Sequence, residues 1–176
     1  MTLNYQNLST IVKDIEINKN AKLLIVTKNQ IVDDIIELNS KGFRAFGENR
    51  VQEAKLKFSS LNNFEEINLH LIGPLQTNKV KEALMLFDTI ESIDRKKLID
   101  EIFKLKNKDL KIRTNNFYIQ INIGSEDQKF GVDKTGVFDL YEYAISKNLN
   151  IEGLMCIPPN SSSPEKYFKE MNSIRD

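Results

Sequence analysis

The sequence predicts an α/β fold built on a parallel β-sheet. Short apolar segments alternate with amphipathic segments about six times along the 176 residues. No hairpin signal joins two apolar segments, so each return of the chain needs a crossover, as parallel strands do. The first apolar segment, LLIV at residues 23–26, presents apolar side chains on both faces. That pattern is typical of a strand covered on both sides in a parallel sheet.

The elements follow one another in a regular order. A first helix is predicted over residues 3–17, where Leu8, Ile11, Val12 and Ile15 form one apolar stripe. The predicted strands cover residues 22–28, 43–46, 68–72, 88–93, 117–123 and 151–157. The predicted helices after them cover residues 31–40, 50–60, 78–87, 94–106 and 134–146, and a last helix begins near Pro164.

Several residues are predicted to end or begin these helices. Gly42 is expected to close the second helix in the left-handed conformation that glycine favours. Asp94 is expected to cap the helix that follows the fourth strand. Glu48 or Asn49 is expected to cap the helix after the second strand, although Asn49 could instead bind a ligand.

Two architectures fit six βα units, an open doubly wound sheet and a (β/α)₈ barrel. No Gly-x-Gly-x-x-Gly motif follows the first strand, which counts against a dinucleotide-binding fold. A full barrel takes roughly 250 residues, about 30 per unit. Six units in 176 residues keep that pace, so we expect one domain over residues 1–176 that is truncated at its C-terminus.

The composition excludes several classes of function. Lys and Arg number 25 and Asp and Glu number 25, so no excess positive charge favours nucleic acid or an anionic membrane as partner. Cys156 is the one cysteine and His70 the one histidine, too few for a zinc site without carboxylates or another chain. No apolar run has the length of a signal peptide or membrane span, and we expect a cytoplasmic protein.

Candidate functional residues follow the strands, because parallel α/β folds carry their sites at the carboxyl ends of strands. Lys28 directly follows the first strand. Burial there would disfavour an ammonium and leave free amine that can attack an aldehyde. The alternative is that Lys28 simply extends to solvent. The stretch after Gly73 presents polar side chains and a helix N-terminus, which together can hold an anion.

The remaining strand residues allow more than one interpretation. Gln120 and Asn122 share one face, and they form either a polar patch inside a barrel or a solvated strand end. A lone strand histidine such as His70 is usually a core residue with its hydrogen bonds satisfied. Met155 and Cys156 are more typical of a core than of a ligand site, and no basic neighbour in sequence activates Cys156.

Five ordered blocks carry a resemblance to a known family. They are LLIVTK at residues 23–28, FGENRVQE at 46–53, HLIGPLQTNK at 70–79, FYIQIN at 117–122 and GLMCIP at 153–158. Together they resemble the pyridoxal phosphate homeostasis proteins, also called the YggS or PROSC family. The resemblance implies a single (β/α)₈ barrel similar to the barrel domain of alanine racemase.

The resemblance also implies a cofactor and the residues that bind it. Lys28 matches the lysine that forms a Schiff base with pyridoxal 5′-phosphate, Asn49 the asparagine beside the cofactor ring, and Met155 a block that borders the same pocket. Lys129 falls near the barrel mouth. The family is regarded as buffering and delivering the cofactor without dedicated catalysis. Apo-enzymes that receive the cofactor are then the expected protein partners, and we expect a monomer.

The sequence departs from the family in one respect. The family continues with a Ser-x-Gly-Met-Ser block on strand seven and an Arg-Ile-Gly-Thr block on strand eight, and these 176 residues contain neither. We therefore expect an incomplete barrel of about six βα units without its last two strands. Two alternative functions remain at this point. One is an amino-acid racemase or lyase, which needs a second proton-transfer group opposite Lys28, and the other is a non-functional remnant.

Overall fold

The structure, a computed structural model, describes residues 3–18, 21–61, 64–161 and 163–176. Its strands are β1 (Ile25–Val26), β2 (Ala45–Glu48), β3 (Asn68–Leu71), β4 (Thr89–Ile93), β5 (Asn116–Ile121) and β6 (Ile151–Cys156). Its α-helices are α1 (Tyr5–Ile17), α2 (Val32–Ser40), α3 (Val51–Phe58), α4 (Val80–Leu86), α5 (Lys96–Lys106), α6 (Val137–Ser146) and α7 (Glu165–Arg175). Short 3₁₀ turns cover Phe64–Glu66, Thr77–Lys79 and Lys134–Gly136. The predicted alternation of strands and helices is confirmed, with ends shifted by a few residues.

The strands form one parallel sheet in the order β1-β2-β3-β4-β5-β6. A doubly wound sheet reverses its strand order at a switch point, whereas a barrel adds every strand on the same side. The sheet also curves, since β4 and β6 approach each other across β5. The fold is therefore of the (β/α)₈ barrel type, and the described residues form six βα units.

The two faces of the sheet differ in burial. On the helix side, Phe46 of β2 packs its ring 6.3 Å from that of Phe58 in α3, and both side chains are fully buried. The opposite face, here called the interior face, includes Gly47 of β2 and the residue in register with it on β3, His70. Val26, in register with Gly47 on β1, is 45% exposed. The hydrophobic core thus lies between sheet and helices, and the interior face is more open.

The first strand is shorter and less buried than predicted. We expected residues 22–28 to form a strand covered on both faces, but only Ile25 and Val26 pair with β2. Leu23 and Leu24 are half-buried. Within the described residues β1 lies at the edge of the sheet with β2 as its one neighbour, which accounts for the difference.

The helix ends agree with the sequence in one case and differ in two. Gly42 has φ +93°, and its N–H donates to the Asn39 carbonyl, which confirms it as the residue that closes α2. The N-cap of α5 is Arg95 rather than Asp94, because the Asp94 carboxylate pairs with the Arg95 guanidinium beside it.

The predicted cap of α3 was also wrong. Its N-cap is Arg50, which makes no side-chain capping bond, so neither Glu48 nor Asn49 has that role. Glu48 instead points to the helix side of the sheet, where it binds Lys57. Across the ranges that the structure describes, no helix combines the length and apolar character needed to cross a bilayer.

Candidate functional site

Two of the three predicted site residues lie at the same end of neighbouring strands. Val26 is in register with Gly47, and Lys28 and Asn49 each lie two residues further along β1 and β2. Lys28 is exposed, and among the described residues its side chain has no hydrogen bond or ion pair. Of the two interpretations of Lys28 left open by the sequence, extension to solvent is the one the structure shows, and the amine is accessible at the carboxyl edge of the sheet.

A buried cluster fixes the backbone on either side of Lys28. The Lys57 ammonium donates to the Thr27 carbonyl at 2.6 Å, to Glu48 Oε1 at 2.9 Å and to Glu53 Oε1 at 2.6 Å. The Thr27 hydroxyl donates to Glu48 Oε1 at 2.7 Å. We call Thr27, Glu48, Glu53 and Lys57 the Lys57 cluster. It holds Thr27 on the helix side of β1, and Lys28, the next residue, projects to the opposite side.

The Lys57 cluster also holds the residue after Lys28. The Asn29 N–H donates to Glu53 Oε1 at 2.6 Å, and Asn29 has φ +60°, in the left-handed region. The hydrogen bond from Lys57 is the largest cause that holds the pKa of Glu53 below its usual range, with a further contribution from the Asn29 N–H. The turn that carries Lys28 is thus held by buried charged groups.

Asn49 presents an acceptor that has no protein donor. Its Oδ1 atom is buried and has no hydrogen-bond partner among the described residues. Gly73, after β3, packs directly on the backbone of Asn49, where an added Cβ would lie 2.2 Å from the Asn49 carbonyl oxygen. Only glycine allows this approach, so Gly73 sets the position of Asn49. An unpaired buried amide oxygen is a place where a ligand can donate a hydrogen bond.

Met155 lies apart from the other two predicted residues. It is 9% exposed, and on β6 it is in register with Gln120 of β5. β1 and β6 are the two outer strands of the sheet, so strand pairing does not bring Met155 next to Lys28 or Asn49. The structure places Met155 on the interior face, which Lys28 also faces.

The interior face carries a pair of titratable groups. His70 Nδ1 lies 2.6 Å from Glu91 Oε1, while its Nε2 is buried without a partner among the described residues. The prediction of a fully satisfied core histidine is therefore half right. Burial, followed by the nearby Glu152 and Glu91 carboxylates, raises the pKa of Tyr118.

The amides of Gln120, in β5, and Asn122, directly after it, hold the loop that follows the strand. Gln120 is 5% exposed and donates from Nε2 to the Phe130 carbonyl at 3.4 Å. Asn122 donates from Nδ2 to the Glu126 carbonyl at 2.8 Å. Lys129, in the same loop, pairs with Glu126 and donates to the Pro158 carbonyl at 3.3 Å. Gln120 is thus buried, as a polar patch inside the barrel requires, whereas Asn122 binds the loop after the strand.

The remaining candidates for chemistry are the single cysteine and any group of metal-binding side chains. Burial raises the pKa of the Cys156 thiol, which agrees with its interpretation as an unreactive residue. Within the described ranges, no three His, Cys, Asp or Glu side chains come together as metal ligands would.

A cavity of about 620 Å³ opens beside Asn49, at the carboxyl ends of β2 to β5. Its lining comprises Asn49, Arg50, Val51, Gln52, Pro74, Leu75, Gln76, Lys79, Arg95 and Phe130. We call it the basic cavity, because three of these side chains are cationic and none is acidic. Sequence analysis missed Arg50 and Arg95; the only signal was the proposed anion-binding stretch after Gly73, which contains Gln76 and Lys79.

Comparisons with known proteins agree with the fold. The chain matches the family described as alanine racemase, N-terminal domain, over residues 4–176. The crystal structure of alanine racemase from Corynebacterium glutamicum has a TM-score of 0.62 at 17% identity, covering 88% of this chain and 44% of that one, which shows the fold alone. The fold thus defines a barrel of the alanine racemase type.

Closer relatives define the family more narrowly. A pyridoxal phosphate homeostasis protein of Aquifex aeolicus is 38% identical over 160 residues, which are 89% of this chain and 69% of the relative. The structure of PipY from Synechococcus elongatus, with pyridoxal phosphate bound, has a TM-score of 0.75 at 26% identity, covering 91% of this chain and 77% of that one. The chain belongs to the family of pyridoxal phosphate homeostasis proteins.

Proposed function

We propose that this chain binds pyridoxal 5′-phosphate covalently through Lys28 and takes part in pyridoxal phosphate homeostasis. The observation that carries the proposal is the accessible Lys28 amine beside Asn49, at the carboxyl edge of a barrel whose relatives include a pyridoxal phosphate-bound protein. When bound, pyridoxal 5′-phosphate supplies an aldehyde that a lysine amine can capture.

The described residues fit such a ligand. The unpaired Asn49 Oδ1 can accept a hydrogen bond from a bound molecule, and Lys28 has no competing protein contact among the described residues. Thr27 and Asn29, the neighbours of Lys28, are fixed by the Lys57 cluster. A lysine on a fixed turn loses less conformational freedom on binding than one on a mobile loop. Met155 lies on the same interior face, and we propose that it forms part of the apolar wall of the cofactor site.

The contacts of Lys57 support Lys28, rather than Lys57, as the reactive amine. Both lie near the end of β1, but the three hydrogen bonds of Lys57 occupy all three N–H groups of its ammonium. Lys57 also points to the helix side of the sheet, where it is only 8% exposed. Lys28 is thus the amine that an aldehyde from solvent can reach.

The broader setting follows from the family. We propose that residues 1–176 act as one cofactor-binding domain in the cytoplasm, as a monomer, and that apo-enzymes are the protein partners receiving the cofactor. The titratable pair on the interior face, His70 and Glu91, is hydrogen-bonded to itself, and we take this as support for a carrier rather than a racemase or lyase.

Absorption spectroscopy with chemical trapping tests the proposal. The purified chain is mixed with pyridoxal 5′-phosphate, its spectrum is recorded near ~420 nm, and borohydride reduction with mass spectrometry locates the adduct. We expect a band and a single adduct on Lys28, both absent from Lys28→Ala. Lys22→Ala, at another exposed lysine before the same strand, is the matched control and should retain both. Adducts spread over surface lysines, with no difference between the variants, would refute the assignment.

A further inference from the structure

The basic cavity differs from the Lys28 site in the groups that line it. Neither Lys28 nor Met155 belongs to its lining, and Asn49 is the only predicted site residue that does. Its volume of about 620 Å³ falls in the range of small-molecule sites, roughly 300–1,000 Å³, and exceeds what a single inorganic ion would fill. The cavity can therefore hold a molecule of metabolite size.

Cationic groups reach the cavity from three separate loops. Arg50 follows β2, Lys79 follows β3 and Arg95 follows β4, so the fold rather than the local sequence brings them together. Asp94 pairs with Arg95 and Glu82 with Lys79, the latter at 3.3 Å, but neither carboxylate lines the cavity. The three cations outnumber these two carboxylates, so the cavity keeps a small positive excess.

Unused hydrogen-bond donors remain on these cations. Arg95 donates through Nη2 to the Leu75 carbonyl at 2.9 Å and through Nη1 to Asp94, which leaves three of its five N–H groups. Lys79 has one bond, to Glu82, and Arg50 has none among the described residues. The Leu75 contact fixes the Arg95 side chain against the cavity wall, so its remaining donors are oriented before a ligand arrives.

The other lining groups define the ligand further. Val51, Pro74, Leu75 and Phe130 form apolar walls, and Gln52 and Gln76 add amides. The buried Asn49 Oδ1 needs a donor, which an oxyanion alone cannot supply. The ligand that satisfies the whole lining carries an oxyanion for the cations and a hydroxyl for Asn49.

We infer that the basic cavity is a binding site for a small hydroxylated organic anion, distinct from the aldehyde site at Lys28. Two kinds of molecule carry this chemistry, phosphate monoesters and hydroxycarboxylates. Guanidinium groups bind either oxyanion through paired N–H donors. Because Asn49 borders both sites, a bound anion would lie beside the ligand on Lys28. The inference does not depend on capture of an aldehyde by Lys28.

Calorimetric titration of the full chain tests the inference. The probes are glycerol 3-phosphate and malate, with glycerol as the uncharged control. We expect saturable binding of at least one anion, weakened by added salt, and no binding of glycerol. Stronger binding of glycerol 3-phosphate would assign a phosphate monoester, and stronger binding of malate a hydroxycarboxylate. Failure of both anions to bind would overturn the inference.

Substitutions then locate the bound anion. Arg50→Gln and Lys79→Gln should each weaken binding about tenfold or more, as the loss of a charge-assisted hydrogen bond does. Lys97→Gln, at an exposed lysine outside the cavity, is the matched control and should bind as the unchanged chain does. The Arg50 side chain has no hydrogen bond or ion pair among the described residues, so its replacement tests charge with little effect on the fold. Unchanged affinity in both cavity variants, or loss of affinity in Lys28→Ala, would place the anion elsewhere and refute the inference.

Discussion

Replacing Lys57 by methionine is expected to destabilise the fold and to weaken cofactor binding at Lys28. The substitution keeps the length and the apolar stem of the side chain but removes its ammonium. Three hydrogen bonds are lost, to the Thr27 carbonyl and to the Glu48 and Glu53 carboxylates. The turn that carries Lys28 then loses its direct attachment to α3.

The size of the effect follows from the burial of the partners. Glu48 is fully buried, and its Oε2 atom already has no partner among the described residues. Removing one partner of a buried ion pair costs about 3–5 kcal/mol, because the other charge stays buried without compensation. Glu53 is 25% exposed on its side chain, and water can replace part of its lost contact. We therefore expect a loss of about 3 kcal/mol in the free energy of unfolding, at the low end of that range.

Urea unfolding and cofactor titration measure the two effects. Lys55→Met is the matched control, since Lys55 lies on the same helix but is exposed, and we expect a change within about 0.5 kcal/mol. Adding Glu48→Gln to Lys57→Met should restore part of the stability, because it removes the uncompensated charge. A loss below about 1 kcal/mol in Lys57→Met, or no recovery in the double variant, would contradict the assigned role of the cluster.

Three further predictions concern pH, packing and catalysis. Folding lowers the pKa of Glu53. The ionised Glu53 carboxylate therefore stabilises the fold above its unfolded-state pKa of about 4.3, and this contribution is lost as the pH falls through its lower folded-state pKa. Glu53→Gln should therefore flatten the loss of stability on acidification below about pH 4.3, and an unchanged slope would contradict this. Gly73→Ala should lower the free energy of unfolding, measured in urea, by at least about 2 kcal/mol, because the added methyl group would collide with the Asn49 backbone. An unchanged free energy of unfolding would show that this backbone can move away. An alanine racemase assay should show no turnover, because His70 is already paired with Glu91 and lies deeper in the sheet than Lys28. Racemisation that is abolished by His70→Gln would instead identify the protein as an enzyme.

The sequence alone predicted the elements well, because their hydrophobic periodicity is a local property. It also located Lys28 and Asn49 at strand ends, since residues that follow parallel strands share one edge of the sheet. The burial of β1 was mispredicted, because an apolar run gives no information about how many neighbours a strand has. The two N-cap predictions were wrong because Asp94 and Glu48 bind other side chains.

The Lys57 cluster and the basic cavity show what sequence patterns leave out. Glu53 and Lys57 are four residues apart on one helix, a spacing that does predict an ion pair. Their contacts with Thr27 and Glu48, however, depend on how α3 packs against β1 and β2. Arg50 and Arg95 reach one cavity from loops that no local pattern relates.

The sequential strand order has a consequence for how the chain folds. Ile25 pairs with Phe46, 21 residues further along, and Phe46 pairs with Leu69, 23 residues further along, so each of these strands finds its partner within one βα unit. The entropy lost on closing each such loop is modest, and no pairing must wait for a distant segment. Folding can therefore proceed by adding one unit at a time to a growing sheet, in the order in which a ribosome delivers them.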